Sequence, residues 1–473
     1  MKIFSKRRVV LGLIVILVLI AAVTVRYADQ QIPIGCAFKA KTLCAAVFVS
    51  GRDPESTERE DLGFNPLFKF FKAKIDNTEK SVICSLLGTG LYRKKAIYID
   101  PLGSILLSGI SEETIRAWKP AIHPPEPANP EALPWPQGDR MPEDPLPAHI
   151  DLAVINEAVE KVFTESDPEK KLYTRALIVA HNGRIIVERY GQGITKDTPL
   201  LSWSMAKSVT NALIGILVKQ GKLALKEPTD VPEWQKEGDP RRAITLDQLL
   251  RMSSGLKWAE AYEESPVSDV NVMLLLKPDM GAYAASMSLA TQPDMVWYYS
   301  SGTTNIISRL IRDIIRSRKA YWAFPRRELF NKIGMRSAVW ETDATGTFIG
   351  SSYLYATARD YARFGLLYLN DGVWLGERIL PEGWVAYSTT PTPAAPQGRY
   401  GAHFWLNGGQ DSTPANRMFP QLPGDMFFAR GYQGQTIAVS PSRNMVVVRL
   451  GMTYDENWGL EAFIKSILEA VAE

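Results

Sequence analysis

The sequence predicts a domain of the α/β class, more closely α+β, in which one antiparallel sheet is flanked by helices. A β-hairpin pattern occupies residues 176–188, and a second one occupies residues 435–450. The segments between them follow the helical period, which indicates a helical lobe inserted between the two halves of the sheet. We expect a functional site in the cleft between sheet and lobe.

The N-terminus carries the pattern of a membrane signal. Four basic residues lie within the first eight positions and precede an uncharged run over residues 9–25, which Arg26 closes. As a helix this run is about 25 Å long, near the short end for crossing a bilayer. The pattern favours an uncleaved signal anchor over residues 1–26, with the rest of the chain on the periplasmic side of a bacterial inner membrane. A cleaved signal, and a secreted or periplasmic protein, is the alternative.

Residues 27–117 are expected to form a small module of their own. Strand-like runs lie at residues 45–49 and 96–99, and four phenylalanines cluster between residues 64 and 71. Ten of the 32 residues from 118 to 149 are proline, a composition typical of a semi-rigid spacer or a wrapped arm. A domain boundary is therefore predicted before residue 150.

The three cysteines, Cys36, Cys44 and Cys84, all fall in the first hundred residues. One disulfide with one thiol left over is compatible with an oxidising compartment, and the sequence does not say which two would pair. Three buried free cysteines are the alternative.

The elements of the main domain, residues 150–473, are predicted from periodicity and turn signals. Asn182-Gly183 joins the two strands of the first hairpin, and Pro441 to Asn444 joins those of the second. A short helix begins after Thr245, a favourable N-cap. The other helices are predicted over residues 151–163, 205–220, 303–318, 357–370 and 459–471.

Ser204 and Lys207 are the main candidates for chemistry. They lie three residues apart at the head of the helix that begins near residue 205, so both side chains share one helix face. A serine hydroxyl needs a base within hydrogen-bond reach to act as a nucleophile. Burial and the positive end of the helix dipole would lower the pKa of Lys207 and make it that base. Taken alone, the spacing also fits a capping serine followed by a surface lysine.

The composition argues against several other functions. The net charge is only +3, and there is no basic stripe with interleaved aromatic residues, which leaves nucleic-acid binding without support. None of the four histidines lies at metal-ligand spacing from a cysteine, a glutamate or another histidine, so no metal is expected. No glycine-rich phosphate loop opens a helix, and no cofactor is predicted.

Two further motifs follow Ser204 and Lys207 in the chain. Tyr299 and Ser301 form a Tyr-x-Ser pattern before a helix, and the run from Gly431 to Gln435 begins a strand. This order resembles the serine β-lactamase and penicillin-recognising superfamily, and over about residues 150–473 the chain is similar to its 6-aminohexanoate-dimer hydrolases. The resemblance implies a β-lactamase/transpeptidase-like fold and a serine hydrolase of a small-molecule amide or ester.

Roles follow from this resemblance and from the chemistry of the groups. Ser204 would attack the carbonyl carbon, while Lys207 and Tyr299 would share the proton transfer. The backbone N–H groups of Ser204 and Gln435 would form the oxyanion hole. Ser301 would hold the amine of Lys207 in place. Which of the amine and the phenol is the general base stays open, because the two titrations are coupled.

Three residues are predicted to contact or accommodate the substrate: Tyr432, Gly434 and, by analogy with the dimer hydrolases, Tyr262. A mobile surface aromatic is the alternative for Tyr262. Tyr432 and Gln433 replace the lysine and hydroxyl residue of the β-lactamases, which argues against β-lactams as the main substrate. The alternatives for function are a penicillin-binding or β-lactamase-like enzyme and an inactive, membrane-anchored binding protein of the same fold.

Overall fold

The computed structural model describes the backbone of residues 3–122, 129–262, 265–409, 413–455 and 457–472. The described helices are α1 (Ile3–Phe48), α2 (Pro54–Glu60), α3 (Glu112–Arg116), α4 (Leu152–Phe163), α5 (Met205–Lys219), α6 (Leu246–Leu250), α7 (Asp269–Leu276), α8 (Met280–Ala285), α9 (Ser301–Ile315), α10 (Arg318–Pro325), α11 (Ala358–Leu369), α12 (Trp384–Thr389) and α13 (Leu460–Ala470). The described strands are β1 (Phe71–Asp76), β2 (Ser81–Leu86), β3 (Lys94–Ile99), β4 (Gly103–Leu106), β5 (Thr174–His181), β6 (Arg184–Tyr190), β7 (Leu200–Leu201), β8 (Val339–Trp340), β9 (Leu354–Ala356), β10 (Val373–Trp374), β11 (Glu377–Arg378), β12 (Trp405–Leu406), β13 (Phe427–Gly431), β14 (Gln435–Ser440) and β15 (Met445–Gly451).

The central sheet has six antiparallel strands in the order β12-β13-β14-β15-β5-β6. Strand β15 from the end of the chain pairs with β5, which lies about 270 residues earlier, so both ends of the domain build one sheet. Asn182 and Gly183 both have positive φ, as the two-residue turn between β5 and β6 requires. The predicted fold class and both hairpins are confirmed.

Helices cover both faces of this sheet. Helix α11 lies on one face, where Gly365 lets the helix approach Val446 of β15 closely. Helices α4 and α13 pack together on the other face through side chains such as Val159 and Ile464. Helix α5 lies between β13 and α9 of the inserted helical lobe. Its N-terminus therefore opens at the junction of sheet and lobe.

The N-terminal segment differs from the prediction. Helix α1 runs without interruption from Ile3 to Phe48, so residues 45–48 of the strand predicted at residues 45–49 belong to a helix. That prediction was wrong because a five-residue apolar run fits a buried helix as well as a strand. Over the ranges given above, no helix combines the length and the apolar character that crossing a membrane needs. The predicted anchor over residues 1–26 is therefore not supported.

Strands β1 to β4 form a separate antiparallel sheet, which packs against the second half of α1. We call α1 from residue 28 onward, together with residues 49–117, the N-terminal module. Cys36, Cys44 and Cys84 are buried in this module as free thiols. The structure therefore agrees with the alternative of three buried free cysteines and not with a disulfide.

Residues 135–138 of the proline-rich segment lie against the main domain. The indole of Trp135 donates a hydrogen bond to the carbonyl of Gly183 in the first hairpin (3.0 Å). The Nε of Arg363 on α11 donates to the carbonyl of Pro136 (2.7 Å), and the Nη2 of the same guanidinium donates to the carbonyl of Gly138 (2.6 Å). These bonds hold the part of the segment around residues 135–138 against the sheet and α11.

A buried ion pair joins the N-terminal module to the main domain. Lys41 on α1 donates to Glu341 next to β8 (2.6 Å), and both side chains are almost completely buried. Glu341 also accepts a bond from the backbone N–H of Ser104 (2.8 Å). The amine of Lys41 lies 4.3 Å from the ring centroid of Tyr353.

Replacing Glu341 by glutamine is expected to lower the free energy of unfolding by about 3–5 kcal/mol, because it leaves the buried amine of Lys41 without a countercharge. Urea unfolding of the purified chain measures this change. The double variant Lys41→Met, Glu341→Gln should recover much of the loss. Glu157→Gln in the exposed pair with Lys161 should have no measurable effect. Equal free energies of unfolding for Glu341→Gln and Glu157→Gln would contradict the loss of stability expected for Glu341→Gln.

Candidate active site

Ser204 lies at the N-terminus of α5, at the junction of sheet and lobe. It is the residue before the first helical position, and its own side chain makes no capping hydrogen bond. Its exposed fraction is 9%. The backbone of Trp203 has a positive φ of 44°, an unusual conformation for a large residue. The hydroxyl of Ser204 is therefore available for a partner other than its own helix.

That partner is Lys207. Its Nζ lies 3.0 Å from the Oγ of Ser204, 2.9 Å from the Oγ of Ser301 and 3.3 Å from the carbonyl oxygen of Ser351. The side chain is 1% exposed. Burial lowers the pKa of the amine from 10.5 to about 8, although the charge of Glu260 acts in the opposite direction.

These three contacts match the three N–H donors of the charged amine, and they also suit the neutral form. A neutral amine has two N–H donors and one lone pair. The two donors can serve Ser301 and Ser351, which leaves the lone pair for the O–H of Ser204. The arrangement can therefore accept the proton of the serine without leaving a buried donor unpaired.

Tyr299 and Ser301 lie on either side of the Lys207 amine. The amine is 4.7 Å from the ring centroid of Tyr299, and that ring stacks on Trp405 with the centroids 5.5 Å apart. Ser301 is the first residue of α9 and is fully buried. Asn305, one turn later, donates to the carbonyl of Ser301 (3.1 Å). The structure thus brings the serine, the lysine and the Tyr-x-Ser motif together.

The strand that faces Ser204 approaches it through Gly431. A Cβ atom on Gly431 would lie 2.3 Å from the carbonyl oxygen of Ser202 and 3.0 Å from the amide nitrogen of Ser204, so only glycine fits. Gln435 lies opposite Gly431 in the ladder, and its side chain bonds to both backbone groups of Gly451. Gly431 thus lies next to the amide of Ser204, and Gln435 as the second oxyanion donor stays a prediction.

The three predicted substrate-contacting residues differ in position. Tyr432 follows Gly431 and stacks on Tyr262, with the ring centroids 5.1 Å apart and the planes 15° apart. Gly434 has a φ of 80°, which the turn between β13 and β14 requires, and a Cβ there would meet Arg449 and Trp458. Tyr432 and Tyr262 thus lie side by side, and the role of Gly434 toward substrate stays a prediction.

A family model described as Beta-lactamase matches residues 159–462, more than half of the chain. The chain belongs to the beta-lactamase family. The matched range contains Ser204, Lys207, Tyr299 and the Gly431 turn.

Known proteins of the beta-lactamase fold are similar to the chain at low identity. A 6-aminohexanoate-dimer hydrolase from Paenarthrobacter ureafaciens is 22% identical over 303 residues, which cover 59% of this chain and 72% of that protein. A penicillin-binding protein homologue from Caulobacter crescentus has a TM-score of 0.51 at 16% identity, covering 69% of this chain and 98% of that one. EstCE1, a hydrolase with promiscuous acyltransferase activity, has a TM-score of 0.53 at 15% identity, covering 67% and 98%.

The site of this beta-lactamase-family chain also contains the carboxylate of Glu260, which the sequence motifs did not predict. The Oε1 of Glu260 accepts from the hydroxyls of Ser301 (2.5 Å) and Tyr262 (3.2 Å). Its Oε2 accepts from the indole of Trp258 (2.5 Å) and the backbone N–H of Ser301 (2.8 Å). Glu260 therefore fixes the rotamer of Ser301, which in turn receives the Lys207 amine. No local pattern marks it, because its partner is 41 residues away.

The lowered pKa of Lys207 predicts how the rate depends on pH. If the neutral amine is the base, kcat/KM for an activated ester should rise about tenfold per pH unit below the pKa and level off above it. The inflection is expected at about pH 8. Initial rates with p-nitrophenyl acetate between about pH 6 and pH 9 test this.

Glu260→Gln provides the matched control for that profile. The carboxylate raises the pKa of Lys207, so its neutralisation should move the inflection to lower pH. Glutamine keeps a side-chain oxygen as acceptor for Ser301. An inflection that stays in place, or moves to higher pH, would contradict the assignment of the inflection to Lys207.

Proposed function

We propose that this protein is a serine hydrolase that cleaves amides or esters through an acyl-enzyme on Ser204. The observation that carries the proposal is the 3.0 Å contact between the Oγ of Ser204 and the Nζ of Lys207, in a buried environment that lowers the pKa of the amine to about 8. A serine next to a buried amine with a lowered pKa is an arrangement that nucleophilic catalysis can use, because the neutral fraction of the amine can accept the serine proton.

The reaction would proceed in two stages. In the first, the Oγ of Ser204 attacks the carbonyl carbon while Lys207 takes the hydroxyl proton, and that proton then passes to the departing amine or alcohol. Tyr299, over the Lys207 amine, is the group proposed to deliver it. In the second, water attacks the acyl-serine, gives its proton to the same groups, and releases the carboxylic acid and free Ser204. The N–H of Ser204 at the start of α5 supports the negative charge on the carbonyl oxygen.

The environment of the third motif favours a substrate other than β-lactams. The side chain of Gln433 is buried and accepts a bond from the indole of Trp203 (3.2 Å), and Tyr432 stacks on Tyr262. Neither side chain brings the positive charge that would hold the carboxylate of a penicillin. The complete contact network of Lys207 also favours an active enzyme over an inactive binding protein of the same fold.

A fluorophosphonate probe tests the proposal on the full chain. The probe should form a covalent bond from its phosphorus to the Oγ of Ser204 with loss of fluoride, and peptide mass spectrometry should locate it there. Pre-incubation with a penicillin should leave the labelling unchanged. Folded protein that stays unlabelled would overturn the hydrolase proposal, and a stable penicillin adduct at Ser204 would favour the penicillin-binding alternative.

A further inference from the structure

A cavity of about 380 Å³ lies between the N-terminal module and the active site. Its walls include Ile32 and Phe38 from α1, Phe68 and Phe71 from the segment before and within β1, and Leu86 at the end of β2. Its volume is within the range of about 300–1,000 Å³ that is typical of ligand pockets. Most of the walls are hydrocarbon, which suits an apolar ligand.

The cavity shares one wall with the catalytic centre. Trp203, Tyr262 and Tyr432 form this aromatic wall. Trp203 directly precedes Ser204, and its ring meets that of Tyr432 edge-on with the centroids 5.6 Å apart. Tyr262 also donates to Glu260, the carboxylate that holds Ser301. A group entering the cavity thus touches side chains adjacent to the nucleophile.

The group that would protonate the leaving amine or alcohol lies outside the cavity lining. Tyr299 packs against Trp297, Tyr400 and Trp405. Among the residues that the structure describes, these four do not line the cavity. This separation favours the acyl part of the substrate, rather than the leaving group, as the part that points into the cavity.

We propose that the N-terminal module forms an acyl-binding pocket for this hydrolase and that its substrates are esters or amides of medium- or long-chain aliphatic acids. The inference rests on the proposed function, because it uses Ser204 as the acceptor of the acyl group. It assigns a role to residues 28–117, for which the sequence offered none.

Chain-length dependence of kcat/KM on the full chain tests the pocket. From p-nitrophenyl acetate to butyrate to octanoate, kcat/KM should rise by up to about fourfold for each methylene that enters the cavity. Leu67, on the cavity wall with an exposed fraction of 55%, can be replaced by aspartate with little risk to the core. Leu67→Asp should lower kcat/KM for octanoate by about tenfold or more and leave that for acetate unchanged.

Leu91→Asp is the matched control, since Leu91 belongs to the same module, is 61% exposed and is not among the lining residues that the structure describes. It should leave the octanoate rate unchanged. Acetate turnover without any gain on lengthening the chain, or equal losses in the two aspartate variants, would overturn the pocket and leave the hydrolase proposal intact.

Binding without turnover separates the two proposals further. In Ser204→Ala, a fluorescent octanoate derivative should bind, and Leu67→Asp should weaken that binding while Leu91→Asp should not. Binding with this pattern, together with no ester hydrolysis by the chain that retains Ser204, would support the pocket and contradict the hydrolase. Absence of binding would overturn the pocket.

Discussion

Ser204→Ala is expected to lower ester turnover by at least about 10⁴-fold, to the level left by substrate binding alone. The alanine methyl cannot form an acyl bond, and no covalent intermediate is then available to divide the reaction into two easier steps. The fluorophosphonate label should disappear completely. Active-site titration with p-nitrophenyl acetate measures the loss, because the burst of p-nitrophenol counts acylated serines.

The control for this variant is Ser208→Ala, one turn further along α5. Ser208 is buried like Ser204, but its hydroxyl donates to the carbonyl of His403 (2.7 Å) and does not meet the Lys207 amine in the structure. Its loss should cost about 1 kcal/mol of stability and leave the label and the burst in place. A label that persists in Ser204→Ala would mean that another nucleophile carries the reaction.

The sequence predicts those parts of the site whose residues lie close together in the chain. The spacing of Ser204 and Lys207 indicates their contact, since a helix brings residues three apart onto one face, and the two later motifs distinguish it from a capping serine followed by a surface lysine. Glu260 could not be predicted in this way, because it reaches Ser301 only when the loop before α7 folds against the start of α9. The proposed acyl pocket is harder still to predict from the sequence, because its walls come from α1, β1, β2 and the two loops that carry Tyr262 and Tyr432.

The errors in the sequence prediction have physical causes as well. The run at residues 45–49 is apolar on all sides because α1 is covered there by the β1–β4 sheet, so it lacks the alternation that distinguishes a strand from a helix. Gln435 as the second oxyanion donor stays a prediction. The structure adds that Gly431, opposite Gln435 in the ladder, is the residue of this turn whose backbone lies next to the amide of Ser204.

The second large effect is expected for Lys207→Met. Methionine has nearly the length of lysine but cannot accept a proton, so turnover of p-nitrophenyl acetate should fall by about 10²–10⁴-fold while Ser204 remains in place. Stability should be kept or raised, because an apolar side chain replaces an amine that burial already disfavours in its charged form. Thermal unfolding and initial rates together separate loss of the base from loss of the fold.

Comparison with Tyr299→Phe then distinguishes the two candidate bases. Phenylalanine keeps the stacking on Trp405 and removes only the hydroxyl. If the amine and the phenol act in one proton path, the double variant should lose no more than the worse single variant, because residues that act as a unit are not additive. If Lys207→Met keeps more than about a tenth of the activity while Tyr299→Phe loses it, the phenol is the base and does not depend on the charge of the amine.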